Sequence, residues 1–307
     1  MKMYDLIIIG SGPAGITAGI YAARKKLKIL MITRDFLGQV GWAFTIENYP
    51  GFEKIKGQEL AQRFKKQIKR FDNIEIKEGK DATYILKKDN ETFDIKTSDD
   101  KNYSARAVII ATGRDPRPLE VSGEKEFLGK GVGYCVICDG PLFQDKIVAV
   151  IGGGNSGFDA GLELAKYCSK IYILEFGDKP LADESTQEKA SKNKKMHIIL
   201  NAEIKQIKGD KFVNSLIYKN RKTNEQKELK VEGIFIQIGY VPATGFVKDL
   251  VEFNKKDEIK IDPITCATKT PGLFAAGDVT SMPVKQVITS AAEGAKAALS
   301  AYQYLQK

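Results

Sequence analysis

Residues 4–15 read YDLIIIGSGPAG, a short apolar run that ends in a glycine-rich turn. A helical pattern and then a second apolar run follow over residues 16–32. Strand, glycine turn, helix and strand in this order are typical of the βαβ unit that opens a dinucleotide-binding fold. In such a unit Gly10 allows the tight turn, Gly12 lets the backbone approach a pyrophosphate, and Gly15 lets the helix pack closely on the strand. The helix N-terminus then directs its free N–H groups at the phosphates.

The same arrangement returns 142 residues further on, where residues 146–157 read KIVAVIGGGNSG. We predict a helix from there to about residue 168 and a strand over residues 170–175. A single G-x-G-x-x-G is a weak signal, because glycine-rich turns also arise for structural reasons alone. Two copies, each between a β-rich run and a helix, indicate two dinucleotide sites.

The remaining segments predict further strands and helices. We expect an amphipathic helix over 58–71, strands over 74–88, 93–96, 107–111, 198–207, 212–218 and 227–238, a short strand at 272–278 and a long helix over 285–304.

Composition excludes several classes of protein. The 307 residues are 43% hydrophobic and 28% charged, which is typical of a globular chain of about two domains. No run reaches the roughly 18 apolar residues of a membrane helix or resembles a signal peptide, so we expect a cytoplasmic protein without a membrane partner. The net charge of +9 comes from scattered lysines, so we expect no nucleic acid partner. Four cysteines and one histidine predict neither a disulfide framework nor a metal site.

Residues 135–140, which read CVICDG, carry the expected chemistry. Two thiols at this spacing can close a small disulfide ring, and in a reducing compartment such a pair is more often catalytic than structural. Asp139 beside them can move protons during thiol–disulfide exchange. The segment directly precedes the second nucleotide unit, which places it near a nicotinamide. Two incidental buried thiols remain the alternative.

Taken together, these motifs resemble those of the low-molecular-weight thioredoxin reductases, in order and approximate spacing, over essentially the whole chain. The resemblance rests on residues 10–15, 38–39, 47–51, 111–113, 135–140, 152–157 and 277–278. Residues 138–143, 152–157, 174–176 and 293–297 are closer still to the reductase core of the alkyl hydroperoxide reductase flavoprotein subunit. That subunit has an additional N-terminal thioredoxin-like module. Because Met1 falls just before the first strand, we expect this chain to need a separate small dithiol partner.

The resemblance implies an α/β fold with two Rossmann-like three-layer β/β/α nucleotide-binding domains, in which the NAD(P) domain is inserted into the FAD domain. The FAD-binding domain is expected to comprise residues 1–115 and 243–307. The NAD(P)H-binding domain, which carries the redox Cys-x-x-Cys, is expected over residues 116–242. The family also implies a homodimer and a role in cell redox homeostasis.

The resemblance further assigns residues to each cofactor. FAD is expected at Gly10, Gly12, Pro13, Ala14, Gly15, Asp35, Gly38, Gln39, Asn48, Ala111, Thr112, Gly113, Gly277, Asp278, Lys285, Gln286 and Val287. NAD(P)H is expected at Gly152, Gly154, Asn155, Ser156, Gly157, Glu175 and Gly239. Lys285 to Val287 are expected to open the last helix beside the flavin ring, where helix N–H groups stabilise negative charge. For Asp35, a contact with the adenosine ribose and a plain surface position are about equally expected.

Glu175 predicts the choice of nucleotide. An acid eighteen residues past Gly157 hydrogen-bonds a ribose 2′-hydroxyl and repels a 2′-phosphate. NADPH-specific relatives carry a His-Arg-Arg group with a further arginine here, whereas residues 175–179 read EFGDK and the next arginine is Arg221. We therefore predict NADH in preference to NADPH. The alternative is that Lys179 or another lysine accommodates NADPH.

The implied activity is that of a thioredoxin-disulfide reductase. Electrons are expected to pass from NADH through FAD to the Cys135–Cys138 dithiol, and on to a thioredoxin- or glutaredoxin-like protein. In this scheme Cys138 lies against the flavin, Cys135 attacks the partner's disulfide, and Asp139 serves as acid or base. The alternatives are an NADH-dependent reductase of a peroxiredoxin system, an NADH oxidase, and a non-catalytic redox sensor. No chemistry is assigned to Cys168, Cys266 or His197.

Overall fold

The computed structural model describes residues 2–42, 46–89 and 91–307, except for the side chains of Trp42 and Cys138. The chain divides into two compact units. One comprises Met1–Asp115 and Val241–Lys307, and the other comprises Pro116–Tyr240. The second unit is therefore inserted into the first.

The first unit is built on a mixed sheet. Its strands are β1 (Met3–Ile9), β2 (Ile29–Thr33), β3 (Ile74–Glu78), β4 (Ala82–Lys87), β5 (Phe93–Thr97) and β6 (Asn102–Ile110), and its early helices are α1 (Pro13–Arg24), α2 (Gly38–Trp42) and α3 (Gly57–Ile68). The strand order is β3-β2-β1-β6-β5-β4, parallel from β3 to β6 and antiparallel from β6 to β4. The segment β7 (Arg114–Pro116) follows.

The second unit begins with β8 (Val132–Gly133), α4 (Val136–Asp139) and a 3₁₀ helix (Gly140–Phe143). It continues with β9 (Ile147–Ile151), α5 (Asn155–Leu164), β10 (Lys170–Leu174), α6 (Glu184–Ser191), β11 (Met196–Ile199), β12 (Ala202–Gly209), β13 (Val213–Asn220), β14 (Gln226–Lys230) and β15 (Gly233–Ile236). The order β11-β10-β9-β15-β8 forms a parallel sheet, and β12-β13-β14 form an antiparallel one.

The chain then returns to the first unit. It contains β16 (Tyr240–Pro242), which pairs with β7, a 3₁₀ helix (Lys248–Leu250), β17 (Leu273–Ala275) and α7 (Val287–Leu305). Strand β17 adds in parallel to the carboxyl half of β6, with Leu273 opposite Val108. The C-terminal segment therefore completes the sheet that the N-terminal segment begins.

Strands β1 and β9 are each central in their sheet and buried on both faces, which explains their uninterrupted apolar runs. In β1, Leu6 and Ile8 pack with α1 and α7, whereas Ile7 and Ile9 pack on the opposite face. In β9, Val148 and Val150 pack on the α5 side, whereas Ala149 and Ile151 pack against the antiparallel sheet. In each unit, helices thus cover one face of the parallel strands. The other face packs against antiparallel strands, which belong to the same sheet in the first unit and to a separate sheet in the second. The predicted α/β class with one Rossmann-like unit inserted in the other is confirmed.

Several predicted elements have different limits in the structure. The predicted strands 74–88 and 198–207 are each broken, at Gly79 and Asn201, because both residues adopt a positive φ. The predicted strand 227–238 also splits, since the Val231 N–H bonds Asn214 whereas the Glu232 N–H bonds Ile147, so that the chain passes from one sheet to the other.

Two helices also differ from expectation. Helix α5 ends at Leu164 rather than near residue 168, and α6 lies in a polar segment for which we predicted no helix. Among the helices that the structure describes, none is long and apolar enough to cross a membrane.

Candidate functional site

The first glycine turn joins β1 to α1. Gly10 has a φ of +104°, and a Cβ there would lie 2.2 Å from the Ala111 carbonyl oxygen. At Gly15 a Cβ would lie 2.0 Å from the Gly10 carbonyl oxygen. At Gly12, by contrast, a Cβ would meet no described atom within 4 Å. Two of the glycines are therefore required by the protein backbone, whereas the space beside Gly12 is open to a ligand.

A cavity of about 790 Å³ in the first unit collects nearly all the residues predicted to bind FAD. Its lining includes Gly10, Gly12, Pro13, Ala14, Asp35, Gly38, Gln39, Asn48, Ala111, Thr112, Gly113, Gly277, Asp278, Lys285, Gln286 and Val287. Gly15 does not line it, because it packs against the turn. The volume lies within the range of about 300–1,000 Å³ for cofactor sites. The open backbone at Gly12 and the N-termini of α1 and α7 fit a pyrophosphate-containing flavin.

Asp35 shapes the edge of this cavity. Its Oδ1 accepts the backbone N–H groups of Leu37 and Gly38, both at 2.7 Å. Its carbonyl oxygen accepts the hydroxyls of Ser11 at 2.6 Å and Thr33 at 2.7 Å. The carboxylate therefore holds the turn into α2, and the exposed residue lines the cavity, whereas its contact with the adenosine ribose stays a prediction.

Arg114 lines the same cavity and was missed in the sequence. Its Nη2 donates to Asp278 Oδ2 at 3.0 Å, and Asp278 Oδ1 accepts the Ser290 hydroxyl at 3.2 Å. Arg114 directly follows the predicted Ala111 to Gly113 turn, and this adjacency is the signal that could have identified it. Ser290, one turn into α7, gave no comparable signal.

Lys285 is held in place before α7 begins. Its Nζ donates to Glu258 Oε1 at 3.1 Å, to the Asp278 carbonyl oxygen at 3.3 Å and to the Thr280 carbonyl oxygen. Helix α7 starts at Val287 with Gln286 as its N-cap, two residues later than predicted. The helix N-terminus nevertheless faces the cavity, since Gln286 and Val287 both line it.

The second glycine turn repeats the geometry of the first. Gly152 has a φ of +117°, and a Cβ there would lie 2.3 Å from the Gln237 carbonyl oxygen. A Cβ at Gly157 would lie 1.8 Å from the Gly152 carbonyl oxygen, whereas one at Gly154 would meet no described atom within 4 Å. The open position is again at the helix N-terminus, where N–H groups suit a nucleotide pyrophosphate.

Glu175 follows β10 and bonds directly to this turn. Its Oε2 accepts the Gly153 N–H and its Oε1 accepts the Gly177 N–H, both at 2.6 Å. Each carboxylate oxygen has a second lone pair for a ribose hydroxyl. The structure thus places a negative charge beside the second turn.

The other residues predicted for the nicotinamide nucleotide differ in their surroundings. Asn155 is engaged within the protein, since its Nδ2 donates to Asp183 Oδ2 at 3.0 Å and its Oδ1 accepts the Asp183 N–H at 2.7 Å. Ser156 is exposed at the start of α5. Gly239 follows β15 with a φ of +97°, and a Cβ there would meet no described atom within 4 Å.

Arg221 lies beside this site, although the sequence separates it from Glu175. Its guanidinium carbon is 3.8 Å from the centre of the Phe176 ring, and its Nη1 donates to the Phe176 carbonyl oxygen at 3.0 Å. In the sequence, Arg221 is only the next arginine after Glu175. In the structure, the turn after β13 brings its guanidinium to Phe176, the residue next to Glu175.

Cys135 is disulfide-bonded in the structure. The side chain of Cys138 lies outside the described part of the chain, so the pairing of these two residues stays a prediction. Cys168 and Cys266 are buried free thiols, and burial raises the pKa of each to about 11. Such thiols carry little thiolate near neutral pH and are poor nucleophiles.

Asp139 ends α4, and its N–H donates to the Cys135 carbonyl oxygen at 3.1 Å. Burial raises the pKa of its carboxyl. The carboxyl lies against Gly133, where a Cβ would be 2.8 Å from Asp139 Oδ2. Any side chain at residue 133 would therefore displace the acid.

The segment before Cys135 is tied to the second glycine turn. Gln237 donates its Nε2 to the Tyr134 carbonyl oxygen at 2.8 Å and its backbone N–H to Ile151 at 2.8 Å. The Tyr134 hydroxyl donates to buried Glu124 at 2.5 Å, and burial raises the pKa of this hydroxyl. One strand end thus orients the nucleotide turn and the redox segment together.

The described part of the chain contains no group of three or more histidine, cysteine or acidic side chains that could hold a metal ion.

Comparisons with known proteins agree with this arrangement. The sequence model of the pyridine nucleotide-disulphide oxidoreductase family matches residues 4–298. The chain is 40% identical over 302 residues to the NADH dehydrogenase of Bacillus subtilis, and 41% identical over 305 residues to a subunit of the alkyl hydroperoxide reductase of Escherichia coli. Each alignment covers 98% of this chain and 58% of the relative, so the chain spans little more than half the length of these relatives.

A solved structure covers nearly the whole chain. The crystal structure of thioredoxin reductase from Lactococcus lactis is 38% identical, has a TM-score of 0.88 and covers 99% of both chains. The family implies a flavin, a nicotinamide nucleotide and an oxidoreductase activity. On the match over residues 4–298, the chain belongs to the pyridine nucleotide-disulphide oxidoreductase family.

Proposed function

We propose that this chain reduces the disulfide of a small thioredoxin- or glutaredoxin-like protein with electrons from NADH. The observation that carries the proposal is made at Gln237. Its side chain bonds the residue before disulfide-bonded Cys135, and its backbone N–H bonds Ile151, directly before the second glycine turn. The residues next to the nucleotide turn and next to the redox disulfide are thus both hydrogen-bonded to Gln237, directly after β15. This arrangement suits electron transfer to a dithiol. The likeness to thioredoxin reductase over the full chain supports the same activity.

We assign FAD to the first unit, residues 1–115 and 243–307, and the nicotinamide nucleotide to residues 116–242. The 790 Å³ cavity supports the first assignment, with Gly12 open to the pyrophosphate and Asp278 held by Arg114. A bound flavin supplies the chemistry of accepting a hydride and delivering two electrons to a disulfide. Glu175, whose charge lies beside the second turn, supports NADH over NADPH.

The dithiol completes the exchange with the partner. The Cys135 thiolate attacks the partner's disulfide, forming a mixed disulfide and releasing one partner thiolate. Cys138 then attacks the Cys135 sulfur, which re-forms the Cys135–Cys138 disulfide and releases the second partner thiolate. Two electrons pass to the partner, and its two sulfurs take up two protons. Asp139, whose burial favours the protonated form, donates one of them.

The test is an anaerobic titration of the flavin-loaded protein with NADH and, separately, NADPH, followed by addition of an oxidised dithiol protein. We expect NADH to bleach the flavin absorbance rapidly, NADPH to bleach it more slowly, and the acceptor to restore the colour. If neither nucleotide bleaches the flavin, the proposal is wrong. If bleaching occurs but no dithiol protein restores the colour, the electron path ends at another acceptor.

A peroxiredoxin system is the second candidate for the destination of the electrons. It is favoured by the 41% identity to a subunit of an alkyl hydroperoxide reductase. Purified thioredoxin and a glutaredoxin-like carrier should be compared as substrates, each with and without a peroxiredoxin and peroxide. Turnover with the carrier and peroxiredoxin alone would favour this candidate. Oxygen consumption that persists in Cys135→Ser would instead favour an NADH oxidase.

Replacing Asp139 by asparagine is expected to reduce disulfide turnover about 100-fold, in line with the loss of a general acid. An acid must be protonated to donate, and burial raises the Asp139 pKa, so wild-type turnover should fall as pH rises through that raised pKa. The pH profile of kcat in the variant should lack this decline. Flavin reduction by NADH should be unchanged.

Asp145→Asn is the matched control for this variant. Asp145 is exposed and has a φ of +60°, which asparagine tolerates well. A pH profile of Asp139→Asn that matches the wild type would remove Asp139 from the proton transfer.

A further inference from the structure

The second nucleotide site carries a cation supplied from a distant part of the sequence. Arg221 lies on the turn between β13 and β14, and Phe176 directly follows Glu175, to which we assign the nucleotide ribose. The guanidinium stacks on the Phe176 ring at 3.8 Å and donates Nη1 to the Phe176 carbonyl oxygen at 3.0 Å. Two independent contacts therefore fix this cation next to the acid.

Backbone hydrogen bonds also hold the two segments together. The Asn201 N–H donates to the Gly177 carbonyl oxygen and the Arg221 N–H donates to the Asn201 carbonyl oxygen, both at 2.8 Å. Gly177 in turn donates its N–H to Glu175 at 2.6 Å. A continuous series of hydrogen bonds thus connects Glu175 to Arg221.

Arg221 has the chemistry of a phosphate ligand. A guanidinium is planar, stays charged, and presents five N–H donors in a fork that matches a phosphate. The bond to the Phe176 carbonyl uses Nη1 and leaves other N–H donors in the same plane. The Phe176 side chain is 54% exposed, so the stack lies at the surface of the site rather than in the core.

We propose that Arg221 is a specificity-determining residue of the second site, where its guanidinium contacts the 2′-phosphate when NADPH binds. This inference rests on the proposed function, because it assumes that a nicotinamide nucleotide occupies the second turn. Glu175 favours the free 2′-hydroxyl of NADH, and Arg221 offsets part of its repulsion of a 2′-phosphate. The enzyme then uses NADPH as a second, slower donor.

Equilibrium binding tests the contact separately from turnover. The probes are adenosine 2′,5′-bisphosphate and ADP, titrated by calorimetry into the FAD-loaded wild-type protein and Arg221→Met. We expect the variant to bind the bisphosphate about tenfold more weakly and ADP less than twofold more weakly. Equal losses for both probes, or no loss for either, would overturn the proposal. So would a wild-type protein that binds ADP but not the bisphosphate.

Two further variants keep the test specific. Lys222→Met removes the same charge from the neighbouring residue, and we expect it to leave the affinity for both probes unchanged. Phe176→Leu removes the aromatic face that holds the guanidinium, and we expect it to weaken bisphosphate binding about threefold or more. A tenfold loss in Lys222→Met would show that only overall charge matters and would contradict a role for Arg221.

Steady-state kinetics then separates this inference from the proposed function. In Arg221→Met, kcat/KM for NADPH should fall about tenfold while that for NADH changes less than twofold. Normal turnover with NADH, together with unchanged NADPH kinetics in the variant, would overturn the role of Arg221 and leave the reductase function standing. Absence of turnover with both nucleotides in the wild type, despite specific bisphosphate binding, would reject the reductase function and retain the Arg221 contact.

Discussion

Replacing Cys135 by serine is expected to abolish reduction of the partner disulfide, with a loss of at least about 1,000-fold. A serine hydroxyl is a far weaker nucleophile than a thiolate and cannot form the disulfide that Cys135 forms in the structure. Reduction of the flavin by NADH should persist at its normal rate, because in the proposed electron path Cys135 takes part only after that step. Stopped-flow absorbance at the flavin band measures this step, and partner-thiol formation measures the complete reaction.

The Cys138→Ser variant is expected to lose turnover equally but to differ in one product. Its Cys135 thiolate can still attack the partner, and without Cys138 the mixed disulfide is not resolved. Denaturing electrophoresis without reductant should therefore show a covalent complex of the two proteins. This complex should be absent for Cys135→Ser. Turnover above a tenth of the wild-type rate in either variant would show that the electrons leave by another route.

Cys168→Ala is the matched control for both cysteine variants. Cys168 is fully buried and burial raises its pKa to about 11, so its thiol takes no part in exchange. Its replacement should leave flavin reduction and partner reduction intact. A loss of turnover here without a loss of stability would contradict the assignment of the chemistry to residues 135–140.

The sequence predicted those features that short-range contacts and burial determine. Gly10 and Gly15 are required by contacts within a few residues and by one neighbouring strand, so their spacing alone indicates the turn. The apolar run of β9 follows from burial on both faces of a parallel sheet. The resemblance that these motifs carry is confirmed by the family match over residues 4–298.

The parts that the sequence did not predict depend on contacts between distant residues. Arg221 meets Phe176 only because β12 and β13 return the chain to the end of β10. Arg114 contacts Asp278 because β17 pairs with β6, although the whole inserted unit separates these two strands in the sequence. No periodicity in a single sequence encodes such pairs. They nevertheless supply charges at both candidate nucleotide sites.

Two of the three glycines of the first turn, Gly15 and Gly12, should respond differently to alanine. Gly15→Ala is expected to destabilise the protein by about 3 kcal/mol or more, because its Cβ would lie 2.0 Å from the Gly10 carbonyl oxygen, which belongs to the backbone of the turn between β1 and α1. We expect it to be recovered in low yield, with little bound flavin and a lowered Tm. The melting curve and the flavin absorbance of the purified protein measure both effects.

Gly12→Ala is expected to fold normally but to bind FAD at least tenfold more weakly. Its Cβ meets no described protein atom within 4 Å, and the residue lines the cavity, so the added methyl group occupies only space proposed for the pyrophosphate. The Tm without flavin should match that of flavin-free wild type, and flavin titration should show the loss. Gly154→Ala, the equivalent change in the second turn, should keep its flavin and instead weaken NADH binding. Wild-type FAD affinity in Gly12→Ala would mean that the pyrophosphate does not lie on this turn, whereas a large drop in its flavin-free Tm would mean that Gly12, like Gly15, is required by the fold.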